Sequence, residues 1–465
     1  MKRKKTLILL SMVLAGICAG IVGVKAVEKH VDSIQTIEET VIAVDPEALS
    51  EIKWTNETGE VDFVKNDEGW SSSDDEDFPV SEDTMADFLA EFEDVKANFI
   101  IEDVEDYEQY GLKDPEHTLT LINGEETTVI TTGAFSTMDE KRYICIDSGT
   151  VYLVETDIAE FLEYDRDHFL DNDQIPYFYQ VKDVKITGNT DMEIVYDEEG
   201  EHVYTNNYDY YLKDGDTYKA LSTTKINSFL SLFTNETYED YETYKASEED
   251  LTSYGFDQPT LSIYVQGDKY SDYTAENMTD EDELIEAEYT IDFVQKDEET
   301  IYMHVQGSPI IYKFDAETYE KLAEADYNSL RPTEVVNIEE DLLSEISADI
   351  DGIAYTITFE TSDEEIKYLI GDEEVDASAL LSDLEALDIT EFTEDKDEIT
   401  LEFKMILVYN GQEISVKLYR VDGDSCLVVF NDEQIGLVDR AEALKIKEDF
   451  NSLVLNIGKE RAEEE

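Results

Sequence analysis

Tyr110-Gly111-Leu112-Lys113-Asp114-Pro115 recurs as Tyr254-Gly255-Phe256-Asp257-Gln258-Pro259, 144 residues further on. An alternating apolar run follows each copy: Leu119 and Leu121 after the first, Leu261, Ile263 and Val265 after the second. Alternation with period two is the pattern of a strand with one buried face. Repeats come before any single element, because a missed repeat misreads the whole fold.

Other anchors keep their own intervals. Tyr143-Ile144-Cys145-Ile146 and Tyr302-Met303-His304-Val305 stand 159 apart, and Cys426-Leu427-Val428-Val429 lies 124 beyond the latter. Thr156, Asp315 and Asp439 repeat both intervals. Each is predicted to cap a helix, since a short side-chain oxygen can accept an orphan N–H of the first turn. Two of these helices are expected to end in Asn328-Ser329-Leu330 and Asn451-Ser452-Leu453. Shared offsets from independent anchors argue for three tandem units. The third lacks the Tyr-Gly-x-x-x-Pro turn and has diverged most.

The offsets differ for a local reason. Units one and three are predicted to turn at Asn123-Gly124 and Asn410-Gly411, a strong hairpin signal because both residue types tolerate positive φ. Unit two has Gln266-Gly267 there, followed by an acidic insertion at residues 268–286, expected to project as a surface loop.

Each unit opens with an expected strand pair, in unit one around Trp54 and Val61, then a helix. Met85, Phe88, Leu89, Phe92 and Val95 fall on one helical face, as do Ile226, Phe229, Leu230 and Phe233, and Leu380, Leu381, Leu384 and Leu387. Such stripes read as core. Strands, helix, strands, short helix is the order of an α+β domain with mainly antiparallel sheet and packed helices.

The chain has 465 residues, 34 Lys+Arg against 115 Asp+Glu, and a net charge of -81. Its 29 Tyr and 19 Phe are too many for an acidic disordered tail. Three cysteines exclude a disulfide scaffold. A field this negative repels phosphate backbones, which argues against nucleic-acid partners. The acidic surface reads as a solubilising shell, with docking to a basic partner as the rival reading.

The basic cluster at residues 2–5 precedes a run without charge at residues 6–24, closed by Lys25. At roughly 1.5 Å per residue the run nearly spans a hydrocarbon core of about 30 Å. The preceding cations predict a cytoplasmic N-terminus, with the bulk of the chain outside the cell membrane. The run is longer than the apolar core of a cleaved signal peptide, so retention as a single transmembrane helix is the expectation. Cys18 follows Ile17 where lipidation would favour a small residue. The segments read in order as follows: cytoplasmic cluster 1–5, anchor 6–24, link 25–47, unit one 48–176, unit two 177–333, unit three 334–458 and acidic tail 459–465.

Chemistry is sparse. The five histidines, His30, His117, His168, His202 and His304, show no His-Glu-x-x-His spacing. There is no Gly-x-Ser-x-Gly elbow and no P-loop. Asp171-Asn172-Asp173, Asp214-Gly215-Asp216 and Asp422-Gly423-Asp424 are fragments of a calcium loop and read more simply as turns. Cys145 and Cys426 are expected as free, buried thiols. Tyr204, Tyr208, Tyr210, Tyr211 and Tyr218 read as a strand pair with one buried face, or as an aromatic surface for a sugar or partner. No catalytic, cofactor-binding or metal-ligating residue is assigned, no cofactor is expected, and the chain is read as not an enzyme.

The basic-plus-apolar N-terminus, the Tyr110-Gly111-Leu112-x-x-Pro115 turn, the hairpins ending in Val151-Tyr152-Leu153-Val154 and the short helix with Phe169-Leu170 resemble the bacterial family called domain of unknown function 4340. The resemblance spans residues 48–335, and unit three fits loosely. Members are typically exported, membrane-anchored and encoded beside ABC transporter subunits and gliding-auxiliary proteins. The resemblance thus implies a non-catalytic extracytoplasmic accessory or binding subunit, partnered with an ABC transporter permease or auxiliary membrane subunit. The alternative is an independent cell-surface or cell-wall interaction protein with a cation-attracting acidic surface.

Overall fold

A computed structural model describes residues 39–464, apart from 148, 199, 201, 272–283, 351–352, 362–365, 394–395 and 397–399. The predicted anchor, residues 6–24, and most of the acidic insertion lie outside the described residues. Among the described residues no helix is long and apolar enough to cross a membrane.

The first sheet is built from β1 (Glu39–Ile42), β2 (Glu51–Asn56), β3 (Gly59–Asn66), β4 (Gly69–Ser72), β5 (Val95–Ile101), β6 (Thr118–Asn123), β7 (Glu126–Ser136), β8 (Lys141–Ile146) and β9 (Val151–Val154). Helix α1 (Glu82–Ala90) sits between β4 and β5, and α2 (Ile158–Phe161) follows β9. Next come a two-stranded ribbon and a second sheet. The ribbon is β10 (Gln174–Ile175) with β15 (Glu236–Thr237). The sheet begins with β11 (Gln180–Thr187), β12 (Met192–Tyr196), β13 (Tyr210–Asp214) and β14 (Thr217–Leu221) before α3 (Thr223–Leu230). It continues with β16 (Tyr241–Thr243), α4 (Glu248–Tyr254), β17 (Leu261–Tyr270), β18 (Leu284–Gln295), β19 (Ile301–Val305) and β20 (Ile311–Phe314), then α5 (Ala316–Ala323) and α6 (Tyr327–Leu330). The third sheet runs β21 (Leu343–Ile350), β22 (Ile353–Thr361), β23 (Ile366–Ile370), β24 (Glu373–Val375), α7 (Ser378–Glu385), β25 (Ile389–Glu391), β26 (Thr400–Tyr409), β27 (Gln412–Arg420), β28 (Ser425–Phe430), β29 (Glu433–Asp439) and α8 (Arg440–Glu464).

Three nine-stranded antiparallel sheets with packed helices make this an α+β fold, and the sheets repeat one topology. The second has the order β14-β13-β12-β11-β17-β18-β19-β20-β16, and the third has β24-β23-β22-β21-β26-β27-β28-β29-β25. Position by position these are the same path. Read from β4, the first sheet runs β4-β3-β2-β6-β7-β8-β9-β5-β1. It lacks the fourth strand of the opening meander and carries β1 on the opposite edge. Tyr143, Tyr302 and Cys426 fall on β8, β19 and β28, which occupy the same place in their sheets. The opening element is therefore a meander of three or four strands rather than a strand pair. The chain forms two compact units, one ending at Asn172 and one from Asp173 to Glu465, and the latter contains the second and third sheets.

The helices are shorter than their apolar stripes. Ser81 caps α1 by accepting from Thr84 N at 3.2 Å, and Met85, Phe88 and Leu89 are buried beneath it. The helix stops at Ala90, so Phe92 lies beyond it and Val95 opens β5, although both are fully buried. Glu91, Glu93 and Asp94 place negative charge where the helix dipole is already negative, which disfavours another turn. Phe233 and Leu387 likewise lie past the ends of α3 and α7. The cap of α2 is Asp157 rather than Thr156, whereas Asp315 caps α5 as expected. Asn328-Ser329-Leu330 belongs to the separate α6, capped by Asp326 and Ser329 in a reciprocal box. Its third-unit counterpart, Asn451-Ser452-Leu453, sits inside the unbroken α8, which continues to Glu464.

The two Asn-Gly turns differ. Asn410 and Gly411 have φ of 46° and 75° between the paired Tyr409 and Gln412, the two-residue loop that suits strand twist. Asn123 instead pairs with Glu126, so that turn consists of Gly124 and Glu125. At the matching place in unit two, Gln266 and Gly267 lie within the ladder. Gly267 pairs with both Ala287 and Val181, and the ladder extends to Tyr270 opposite Leu284. The two ends of the acidic insertion, 268–270 and 284–286, therefore lengthen the hairpin. Residues 39–42 of the expected link form β1, paired with β5.

Core packing follows burial of the alternating faces. Trp54 is 1% exposed, with ring centroids of Phe88, Phe169 and Phe63 at 4.9, 5.6 and 5.9 Å. Its Nε1 donates to Tyr164 O at 2.9 Å, so the indole is buried without an orphaned polar atom.

One carboxylate on α8 is poorly placed for neutral pH. Asp449 Oδ2 is buried without a hydrogen-bond partner. Burial, followed by the adjacent Asp383, raises its pKa. A carboxyl that binds its proton more tightly when folded destabilises the native state above its folded pKa. That penalty fades as pH falls and is gone below the unfolded value, about 3.9. Asp449→Asn is therefore expected to stabilise α8 at pH 7 and to flatten this dependence. Hydrogen exchange of α8 amides at pH 7 and pH 4.5 checks it, and equal protection in both proteins at pH 7 would count against the account.

Candidate functional site

Pro176 ends the β10–β15 ribbon and starts an extended passage into β11. Its alternation places Phe178 inward, 6% exposed, and Tyr177 and Tyr179 outward, 50% and 57% exposed. Phe178 meets Tyr289 edge-on at 6.1 Å, and Tyr179 meets Tyr270 at 5.7 Å. The loop after α3 closes the other side. There Asn235 adopts φ 59°, a conformation its short side chain tolerates, and its N–H donates to Ile175 O at 2.7 Å.

Between these walls lies a cleft of about 520 Å³. Tyr196 and Tyr210, paired across β12 and β13 with rings 5.4 Å apart, form part of its floor. Gln180 Nε2 donates to Tyr210 Oη at 3.2 Å and to Val181 O at 3.0 Å. Burial pushes the Tyr210 phenol up to about 12, so it stays neutral at physiological pH. Asp209 accepts from Thr223 Oγ1 at 3.0 Å, and Asn227, Ser231, Asn235 and Glu236 supply further polar groups to the wall. Aromatic faces, neutral hydrogen-bonding groups and the carboxylates of Asp209 and Glu236 thus converge on one space, a setting suited to a small-molecule ligand. The arrangement can bind and orient a ligand.

The four described histidines are dispersed, each with its own neighbours. His117 is buried, its Nδ1 3.1 Å from Thr55 O. His168 stacks on Tyr164 and His202 on Tyr218, both at 3.8 Å. His304 is buried with Nε2 2.9 Å from Ser308 O. His30 lies outside the described residues. Among the described residues no group of three or more His, Cys, Asp or Glu is placed to hold a metal ion. Cys145 and Cys426 are buried and unbridged. Burial raises both thiols, that of Cys426 to about 11. Asp422 makes a local turn, accepting from Asp424 N and Ser425 N at 2.8 Å each.

The tyrosine-rich stretch is only partly the expected strand pair. Tyr210, Tyr211 and Tyr218 lie on β13 and β14, but Tyr204 and Tyr208 precede them in a connection. Tyr204 Oη accepts from Asn337 N at 2.7 Å, and its ring lies 5.3 Å from that of Phe430 in the third sheet. Of the five, Tyr210 lines the cleft. Tyr177, Tyr179 and Tyr196 were not singled out from the sequence. The signal was there in Pro176-Tyr177-Phe178-Tyr179, two tyrosines on one side of an extended segment after a proline.

Residues 70–244 match the family described as Domain of unknown function (DUF4340). This stretch belongs to DUF4340. The matched range is narrower than the resemblance seen in the sequence, and every cleft residue falls within the DUF4340 stretch. No curated protein and no solved structure matches the chain.

Proposed function

We propose that this chain is a non-catalytic, membrane-anchored extracytoplasmic subunit of an ABC-type, gliding-auxiliary-like transport system, held in the cell membrane through residues 6–24. The observation that carries the reading is the DUF4340 stretch, a family whose members the sequence resemblance ties to ABC transport. The uncharged run between Lys5 and Lys25 supports the anchor. A tethered domain meets a permease or auxiliary subunit in the same membrane at high effective concentration, so modest contacts suffice. The acidic insertion at residues 268–286 is the candidate contact, and its acidity favours a basic surface.

Deleting residues 272–283 leaves the ladder up to the Tyr270–Leu284 pair untouched. Folding is expected to persist, since shortening a surface loop costs little. Recovery of transporter subunits from crosslinked membranes should fall, and the difference from the parent should shrink in added salt, which screens the parent's own acidic contact. Unchanged recovery removes the loop from the reading. Failure of the intact chain to recover any transporter subunit removes the transporter itself. The second reading, an independent cell-surface or cell-wall interaction protein, draws support from the tyrosine-rimmed cleft.

A further inference from the structure

We propose that the cleft beneath Tyr177 and Tyr179 binds a neutral oligosaccharide. The inference does not depend on the transporter reading.

The lining selects the ligand class by elimination. Among the described residues no Lys, Arg or His lines the cleft, whereas Asp209 and Glu236 do. An anionic ligand would meet these carboxylates without a counter-charge, on a chain with net charge -81. A wholly apolar ligand would strip water from Gln180, Asn227 and Asn235 and return no hydrogen bond. A sugar ring satisfies both demands. Its C–H face packs on a tyrosine ring, and its hydroxyls donate to Asp209 or Glu236 and exchange hydrogen bonds with the amides. Tyr177 and Tyr179 suit the first task, since each orders only two side-chain torsions on binding. They are half exposed in the extended segment before β11. Tyr210, neutral at physiological pH, suits the second. The volume of about 520 Å³ lies within the range of roughly 300–1,000 Å³ for small-molecule sites. The exposed rim leaves room for a chain to continue out of the cleft, which favours an oligomer over a single ring.

The test uses the full chain in lipid nanodiscs and saturation-transfer NMR. The probes are cellotetraose, maltotetraose and chitotetraose, with tetragalacturonate and an uncharged tyrosine-containing tetrapeptide as contrasts. At least one neutral tetrasaccharide is expected to receive transfer, and tetragalacturonate and the peptide none. Tyr179→Ala should weaken that binding about tenfold, the value of one lost aromatic face. Tyr179→Phe should weaken it less than threefold, and Asn227→Ala should weaken it measurably. Both positions are exposed, so thermal melts should match the parent. The proposal is overturned if none of the neutral sugars binds. It is equally overturned if tetragalacturonate or the peptide binds as well as they do, or if Tyr179→Ala leaves sugar binding unchanged.

Discussion

Gly111→Ala is expected to destabilise the first unit by about 3 kcal/mol, and Gly255→Ala to destabilise its own unit by only about 1–2 kcal/mol. Both glycines end a helical turn in the left-handed region, with φ of 70° and 102°. In each case the next residue reaches back to close the turn: Leu112 N donates to Tyr107 O and Phe256 N to Leu251 O, both at 3.0 Å. A side chain at such a φ costs about 1–2 kcal/mol wherever it occurs. The surroundings separate the two. A Cβ on Gly111 would lie 2.6 Å from Ala134 N, within the backbone of β7, whereas one on Gly255 would meet only the Val294 side chain, at 3.3 Å. The β7 register shifts between Thr132 and Phe135, and a Cβ on Gly133 there would lie 2.3 Å from Tyr110 O. Turn and bulge are thus in mutual backbone contact and neither can retreat, which adds overpacking of about 1–3 kcal/mol. The chain's two tryptophans, Trp54 and Trp70, are both buried in the first unit. Tryptophan fluorescence during urea unfolding therefore reads Gly111→Ala, and far-UV circular dichroism follows Gly255→Ala. Equal losses would contradict the packing of the turn on β7.

That turn also shows why the repeats were legible. The two sequence anchors meet in space: Tyr110 lies 5.1 Å from Tyr143, and Tyr254 lies 5.0 Å from Tyr302. Leu112 packs with Cys145, and Phe256 lies 5.2 Å from His304, the counterpart pair. Contacts kept through two copies leave residues at fixed intervals, and intervals can be read without coordinates. Strand number could not be read in the same way. β14 and β24 are short edge strands, Thr217–Leu221 and Glu373–Val375, with little apolar alternation to mark them. Helix ends were hidden because Phe92, Phe233 and Leu387 are buried by loops that continue the stripe after the helix has stopped. The cleft draws on residues from Tyr177 to Glu236 spread over a ribbon, three strands, a helix and their connections. No local spacing records that convergence.

Arg331→Ala is expected to cost the second unit about 2–3 kcal/mol, and Arg331→Lys to recover less than half of it. Arg331 is 8% exposed, just past α6, where the second repeat gives way to the third. Its guanidinium lies over the Phe392 ring at 4.1 Å and the Tyr327 ring at 4.9 Å. It donates to Asn328 Oδ1 at 3.2 Å and to Ile435 O, on β29, at 3.4 Å. One planar cation therefore joins the helix end of one repeat to the sheet of the next. Desolvated stacking contributes about 2 kcal/mol and the hydrogen bonds add to it. Part of the loss is offset nearby. Lys225, whose Nζ donates to Arg331 O at 2.9 Å, has a lowered pKa chiefly from burial, and the Arg331 charge lowers it further. Removing Arg331 relieves that repulsion, which keeps the expected cost below that of an abandoned buried charge. Lysine restores the charge but neither the plane that stacks on Phe392 nor the fork that reaches both oxygens. Urea unfolding followed by circular dichroism gives the cost, and hydrogen exchange at α6 and β29 locates it. A lysine variant as stable as the parent would show that charge alone joins the repeats, and an alanine variant without loss would show that Arg331 does not join them.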